Sequence, residues 1–318
     1  MARVAAIDCG TNSIRLLVAD VTNRDDGGGW LRDVHREMRV VRLGQGVDAT
    51  GVLAPEAIAR TRAALVDYSA VLRRKGTERV RMVATSATRD AANRDEFFAM
   101  TREVLGVQAE VITGDEEARL SFTGAVADLD PDEGPFLVSD VGGGSTELVL
   151  GGWDGVRGAV EAARSVDIGC VRLTERCLRS DPPTAAEVEE AVRVAGEVLG
   201  EAFDAVPVAK ARTWIGVAGT VTTLAAIAKD LRVYDPEEIH LARLPLDQVR
   251  EITGRLLAAT RDERAAMGAM HPGRVDVIIG GALVVRTIAD HLAAHTDVTE
   301  LVASEHDILD GIAFALAR

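Results

Sequence analysis

The sequence predicts an α/β protein built from two similar domains. Three observations carry that expectation. A short unit occurs twice, as Ile7-Asp8-Cys9-Gly10-Thr11-Asn12-Ser13 and as Ser139-Asp140-Val141-Gly142-Gly143-Gly144-Ser145-Thr146-Glu147. Each copy sits between apolar, strand-like runs, and the two lie about one domain's length apart in a chain of 318 residues. The hydrophobic patterns then give the order βββαβα, repeated with insertions, which is an α/β plan with a mixed sheet in each half.

The elements follow in order. Ala2 to Cys9 and Ser13 to Val21 flank the first loop, a glycine-rich turn spans Asn23 to Gly29, and Leu31 to Leu43 is a third strand. Pro55 to Arg74 is an amphipathic helix with Ile58, Leu65, Val66 and Leu72 on one side. Arg79 to Thr85 is a strand. One helix is expected from Thr88 to Leu105, with Ser86 as a cap and Gly106 as a stop. Val107 to Ile112 is a strand and Asp115 to Leu129 a helix, followed by a polar linker, Asp130 to Pro135. The second half repeats strand, glycine loop and strand, with a third strand at Gly158 to Val166. Pro182-Pro183-Thr184 starts a helix to about Ala205. Arg212 to Val217 is a strand, and Ala218-Gly219-Thr220 leads into a helix ending near Asp230. Helices are expected at 246–259, 261–269 and 273–294, a last strand at Val298 to Ala303, and a final helix from Glu305 to Arg318.

Composition narrows the function. The chain is 47% apolar but only 3% aromatic, so its core is expected to consist of Ala, Val, Leu and Ile. No apolar run approaches the roughly 18 residues of a membrane span. Met1-Ala2-Arg3-Val4 turns straight into a strand without a secretory pattern, which predicts a cytoplasmic protein. A net charge of −14 argues against nucleic-acid binding. A polyanionic substrate would need focused donors or cations. Cys9, Cys170 and Cys177 have neither metal-ligand nor disulfide spacing. Cys9 reads as a buried filler beside the first loop, with a redox-sensitive thiol as the alternative.

An Asp-x-Gly-x-x-Ser turn between strands can aim backbone N–H groups at one point and form an anion nest. Thr11, Asn12, Ser13, Ser145 and Thr146 add polar donors, and Gly142, Gly143 and Gly144 permit close backbone approach. Asp8 and Asp140 are poorly placed to touch phosphate but well placed to hold Mg²⁺. A plain hairpin explains either loop alone; the pair points to phosphate. In Thr85-Ser86-Ala87-Thr88-Arg89-Asp90-Ala91-Ala92-Asn93 a strand meets a hydroxyl-rich helix start, where Arg89 conflicts with the helix dipole unless an anion binds. An ordinary cap with a solvated Arg is the other reading. In Thr113-Gly114-Asp115-Glu116-Glu117-Ala118-Arg119-Leu120 three acids open a helix. They suit the dipole, and one of them could serve as a general base toward water.

Taken in order, Asp8-x-Gly-Thr-Asn-Ser, Thr85-Ser-Ala-Thr-Arg-Asp-Ala-x-Asn93, Gly114-x-Glu-Glu-Ala-Arg-Leu120 and Asp140-x-Gly-Gly-Gly-Ser-Thr-Glu-Leu148 resemble the exopolyphosphatase/guanosine pentaphosphate phosphohydrolase family, within the actin, sugar-kinase and Hsp70 superfamily. The resemblance continues through Gly169 to Thr174, Gly216 to Thr222, Arg274 to Ile278 and Ser304-Glu305, and so covers essentially the whole chain. It implies two actin-like (ribonuclease H-like) domains with a cleft between them: residues 1–127 plus about 300–318, and 128–299 with the helical insertions. It also implies the short, two-domain form, without the extra C-terminal helical domain of long members.

By this resemblance Glu117 is the catalytic base, and Asp140 and Glu147 organise metal and water. Asp8 is placed like the superfamily's first-loop acid and is assigned to metal. Ser86, Arg89 and the two glycine loops would grip the terminal phosphates. The implied reaction is Mg²⁺-dependent hydrolysis of the terminal phosphoanhydride of inorganic polyphosphate, with Mn²⁺ as a substitute and room for a monovalent cation. Guanosine pentaphosphate 5′-phosphohydrolysis is the alternative within the same chemistry. A sugar kinase and a non-enzymatic phosphate or nucleotide sensor are the remaining options. A homodimer is expected, with no nucleic acid or membrane partner.

Other residues carry two readings each. His291 and His295 have metal-pair spacing on one helix but no acid-rich partner motif, so a solvated or capping role near the helix end is expected. His306, after Ser304-Glu305, is read as a cap at a helix start, with substrate contact as the alternative. Gly216 to Thr222 is a nucleotide-phosphate loop or a tight strand–helix turn. Arg172, Lys210 and Arg274 are candidates for a basic track or simply solvated. The apolar helix near 273–294 is core or dimer interface.

Overall fold

The computed structural model describes residues 2–23 and 29–317. Most of the glycine-rich turn expected at Asn23 to Gly29 lies outside the described residues. The chain divides into two compact units. The first is Met1–Ala127, Asp154–Gly158 and Asp307–Arg318; the second is Asp128–Trp153 and Ala159–His306.

In the first unit, β1 (Ala2–Cys9), β2 (Ser13–Asn23) and β3 (Gly29–Val40) form an antiparallel meander. A short helix α1 (Val47–Thr50) and a long α2 (Pro55–Lys75) lead to β4 (Arg79–Ala84), which pairs parallel with β1. Helix α2 starts with Pro at its first turn and ends at Gly76, whose φ of 66° only glycine adopts cheaply. Next come α3 (Ser86–Asp90), α4 (Arg94–Leu105), β5 (Glu110–Val111) and α5 (Gly114–Ala125). The sheet order is β3-β2-β1-β4-β5.

The second unit repeats this plan. Strands β6 (Phe136–Val141) and β7 (Thr146–Trp153) are antiparallel, and β8 (Gly158–Val166) follows at the edge. Helices α6 (Cys170–Cys177) and α7 (Ala185–Ala205) precede β9 (Thr213–Val217), which pairs parallel with β6. Then come α8 (Ala218–Ala228), α9 (Pro236–Ile239), β10 (Arg243–Pro245), α10 (Leu246–Ala258), α11 (Arg261–Ala265), α12 (Ile278–His295) and β11 (Glu300–Ala303). The order β8-β7-β6-β9-β11 matches β3-β2-β1-β4-β5, with β10 added outside β11. The repeat is therefore a repeat of fold, and the second copy carries the extra helices. The chain returns to the first unit at Asp307, after β11 has joined the second sheet, and ends in α13 (Ile308–Ala317).

The cores are aliphatic. In the second unit α12 is buried along most of its length among Leu, Val, Ile and Ala side chains, so its apolar surface belongs to the core. Two of the buried aromatics are fixed by polar contacts as well as packing. The Trp214 Nε1–H donates to Ser139 Oγ (2.9 Å), and the Tyr68 hydroxyl to the Ile14 carbonyl (3.0 Å).

Several local expectations shift. The single helix expected at 88–105 is two, α3 and α4, because Ala91 takes an extended conformation. Asn93 holds that break: its side chain accepts from the Leu53 N–H (2.8 Å) and donates to the Leu53 C=O (3.0 Å). The Thr184–Glu187 capping box starts α7 after the Pro pair, a device worth about 1 kcal/mol. Short elements with little pattern of their own, α1, α6, α9 and β10, are visible only in the structure.

Helix α13 packs on α5 at two glycines. A Cβ on Gly124 would lie 1.9 Å from the Asp307 carbonyl oxygen, and one on Gly311 would lie 2.0 Å from that of Leu120. Neither backbone can yield cheaply. Gly311→Ala should therefore lower unfolding stability by at least about 1–3 kcal/mol, the usual cost of overpacking. Urea melts of wild type and variant with coincident midpoints would refute the close approach.

Candidate active site

The two loops have the same internal hydrogen bond. The Gly10 N–H donates to the Ser13 C=O (3.0 Å), and the Gly142 N–H donates to the Ser145 C=O (3.1 Å). In each loop the carbonyls are then taken up by a following segment. Val41 and Arg42 N–H groups donate to the Asn12 C=O (3.0 and 2.8 Å), and the Gly44 N–H donates to the Thr11 C=O (2.8 Å). In the second loop the Cys170 N–H donates to the Gly142 C=O (2.9 Å), while Val171 and Arg172 donate to the Gly143 C=O (2.9 and 3.1 Å). Glycines allow the approach: a Cβ on Gly44 would meet the Thr11 side chain at 2.3 Å, and one on Gly169 would meet the Gly143 backbone at 2.6 Å. Among the described residues the N–H groups of Thr11, Asn12, Gly143 and Gly144 donate no hydrogen bond. Carbonyls turned inward with amides left over is the arrangement of an anion nest.

The loops differ in what faces the aspartate. Asp8 is directly opposite Arg15 on β2, and Asp140 directly opposite Glu147 on β7; both partners come seven residues after their Asp. Asp8 Oδ2 accepts from Arg15 Nε (3.1 Å) and Nη2 (2.7 Å), and Arg15 Nη1 also bonds Asp307, which precedes α13. Asp8 Oδ1 is buried with no hydrogen-bond partner. Burial pushes the Asp8 carboxyl above the usual carboxylate range, and Arg15 pulls it back. In the second unit Asp140 and Glu147 are both buried on one face of the sheet, and Glu147 Oε1 accepts from the Ser165 hydroxyl (2.6 Å). Two carboxylates directly opposite on neighbouring strands repel. Arg15 and Ser165 escape a reading of the motifs alone, although superposing the two copies marks position +7, and so Arg15, as a place to look.

The three acids at the start of α5 are sorted by their surroundings. Thr113 caps the helix by accepting from the Glu116 N–H. Asp115 is exposed, Glu116 bonds Arg81 (2.6 Å), and Glu117 is buried. Glu117 Oε2 accepts from Arg89 Nη1 (2.8 Å), which also donates to the Ile112 C=O (3.0 Å). Arg89 belongs to the last turn of the five-residue α3, so the dipole conflict expected for it at a helix start does not arise. Ser86 is the first residue of α3 and is buried; Thr88 Oγ1 and Asn12 Oδ1 are buried without partners. The first unit thus brings together Arg89 and Glu117, and holds Asp8 with Arg15. Ser13 opens β2, and Ser145 lies in the second loop beside Gly144.

The candidates for a basic track all have partners. Lys210 pairs with Glu161, Arg172 lies 3.9 Å from Asp167, and Arg274 donates to the Gly219 C=O (2.8 Å) and Thr223 Oγ1 (3.0 Å). Arg274 also covers Gly219, where a Cβ would meet the guanidinium at 2.1 Å. His291 stacks on Phe203, with ring centroids 3.6 Å apart. Cys9, Cys170 and Cys177 are buried thiols, and burial pushes each of them up.

With this geometry in hand, known proteins give a consistent answer. Exopolyphosphatase 2 of Mycobacterium tuberculosis is 58% identical over 322 aligned positions, covering 100% of this chain and 99% of that one. The crystal structure of an exopolyphosphatase-like protein matches with a TM-score of 0.91 and 45% identity, covering 99% of this chain and 97% of the other. The guanosine-5′-triphosphate,3′-diphosphate pyrophosphatase of Aeromonas salmonicida is 31% identical over 91% of this chain, which spans 55% of that protein. Residues 18–314 match the model of one family, and the chain belongs to it: the Ppx/GppA phosphatase family.

Proposed function

We propose that this chain is an exopolyphosphatase, a hydrolase that removes the terminal phosphate of inorganic polyphosphate as orthophosphate. The observation that carries the proposal is Glu117, the one buried acid of the three that open α5, with its carboxylate fixed by Arg89 at 2.8 Å. The full-length likeness to Exopolyphosphatase 2 supports the substrate.

The residues divide the work. In the first unit the amides of Thr11 and Asn12, with the hydroxyls of Ser13 and Ser86, are suited to phosphate oxygens; in the second unit the amides of Gly143 and Gly144, with the Ser145 hydroxyl, are suited to the same. Glu117 orients a water and accepts its proton as the oxygen attacks the terminal phosphorus. The bond to the bridging oxygen breaks, and the shortened chain leaves as its phosphate anion. Arg89 keeps the Glu117 carboxylate in register for in-line attack.

The acids fit a hard divalent cation. Asp140 and Glu147 offer two buried carboxylates on one face, a pairing that a cation would stabilise, and Asp8 Oδ1 is a buried oxygen without a partner. We assign Mg²⁺ to Asp140 and Glu147 in the second unit, and Asp8 Oδ1 is the metal-binding oxygen that the first unit offers. When bound, the ion supplies charge neutralisation for the phosphate oxygens.

A second reading keeps the same chemistry on guanosine pentaphosphate. It is favoured by the likeness to the Aeromonas enzyme, at lower identity and over about half of that protein's length. Side-by-side kinetics on short and long polyphosphate, guanosine pentaphosphate and ATP separate the readings; higher kcat/KM on the nucleotide would replace our first choice.

A positioned general base is worth roughly 10²–10⁴-fold. Glu117→Gln should lower kcat by about that factor while polyphosphate still binds, as measured by orthophosphate release and a binding assay. A variant within a few-fold of wild type removes Glu117 from the role. Asp140→Asn and Glu147→Gln should shift the activity curve to higher Mg²⁺ concentration, and superimposable Mg²⁺ titrations would refute their assignment.

A further inference from the structure

We propose that Asp128, His240 and His306 form a binding site for a divalent transition-metal ion of the zinc class, separate from the carboxylates of the glycine loops. The three side chains come from three distant segments of the second unit. Each offers one ligating atom, and these atoms all lie within 4.8 Å of one another. Asp128 Oδ2 is 2.5 Å from His306 Nδ1 and 3.6 Å from His240 Nε2, and the two imidazole rings are 4.5 Å apart between centroids. In a tetrahedral zinc site, bonds of about 2.0–2.2 Å place ligand atoms roughly 3.4 Å apart. The His240–Asp128 spacing already suits this, and the His306–Asp128 contact needs to open by about 1 Å.

The donor set selects the metal. Two imidazole nitrogens and one carboxylate oxygen suit zinc, cobalt or nickel; Mg²⁺ prefers an all-oxygen shell. Asp128 is exposed and both histidines are partly so, which leaves a path for the ion. The backbone of His306 is fixed by Ser304, whose hydroxyl donates to the His306 C=O (2.8 Å) and accepts from its N–H (3.0 Å). Two contacts are given up on binding: the proton shared by His306 Nδ1 and Asp128 Oδ2 is displaced, and a hydrogen bond at His240 is lost. The Glu305 N–H donates to His240 Nδ1 at 3.3 Å, and a metal on Nε2 needs a proton on Nδ1. That hydrogen bond is at the long end of the range, so little is lost when it is given up.

Position along the chain gives the site a consequence. The chain passes into the second unit at Asp128 and leaves it after His306. An ion would staple both crossing segments to His240. Binding to the folded form alone would then raise thermal stability by mass action.

The test uses the full chain, stripped with EDTA and held in excess Mg²⁺ so that the loop carboxylates are supplied. Zn²⁺ is titrated by calorimetry, and Co²⁺ by its visible absorption. The expected result is one equivalent bound, ligand-field bands, and a higher Tm with Zn²⁺. His240→Gln and His306→Gln should each weaken Zn²⁺ at least about tenfold, since even partners behind the ligands are worth 10–100-fold. Glu147→Gln should leave it unchanged. No uptake with the metal in large excess, or uptake indifferent to both histidine variants, overturns the site. Circular dichroism checks the fold of each variant; should a histidine variant fail it, Asp128→Asn, at an exposed side chain, replaces it, and undiminished Zn²⁺ affinity there overturns the proposal equally.

Discussion

The hydrogen bond from a loop glycine N–H to the C=O of the serine three residues later is the constraint on which both halves of this protein turn. It closes the hairpin after β1 and after β6 with the same geometry. The Asp two residues before the glycine is thereby fixed at a strand end. The cross-strand partner of that Asp is then fixed seven residues on, because antiparallel pairing leaves no choice of register. What distinguishes the two loops chemically follows from one residue type at that place. Arginine opposite Asp8 makes an internal ion pair; glutamate opposite Asp140 makes a carboxylate pair.

That difference has an energetic side. Asp8, Arg15 and Asp307 form a chain of charges shielded from solvent, and Arg36 makes a further pair with buried Asp310 (2.5 Å). Such pairs add little net stability over apolar packing, but removing one partner strands the other and costs about 3–5 kcal/mol. Their effect here is to fix position. Arg15 ties the first loop to the residue that precedes α13, and α13 is pressed against α5 through Gly124 and Gly311. Helix α5 carries Glu117. The first loop and the proposed base therefore share one support inside the first unit, with no flexible linker in the path.

The sequence makes part of this legible, and the boundary follows a physical line. The loops, the strand-loop-strand units and the acids of α5 are readable because each is encoded within about ten consecutive residues. The duplication is readable because both copies keep the same spacing. What escapes depends on contacts distant in sequence. The break between α3 and α4 needs Asn93 to reach Leu53, forty residues away. The partner of Arg89 is a residue on another helix, so a local dipole argument assigns Arg89 to an anion while its guanidinium lies on Glu117. Arg172, Lys210 and Arg274 read as a basic track only while their partners are unknown. His306 looks like a helix cap, and its ring meets Asp128, from the other end of the same unit, and His240.

The same physics bears on why such a site would hydrolyse instead of transferring phosphate to a second substrate. An anion nest, or a carboxylate pair acting through a bound cation, would hold a phosphate without choosing the acceptor. The acceptor is chosen by whatever stands beside the phosphorus with a free lone pair and a base to take its proton. A buried glutamate in the first turn of α5, clamped by an arginine, is short, rigid and suited to one small acceptor. Transfer to a sugar would require donors and acceptors arrayed to orient several hydroxyls at once, since discrimination against water rests on such contacts. The acids around Glu117 are already committed, Glu116 to Arg81 and Asp115 to solvent. Glu117 is left as the single buried carboxylate of that helix start, an arrangement matched to a water molecule.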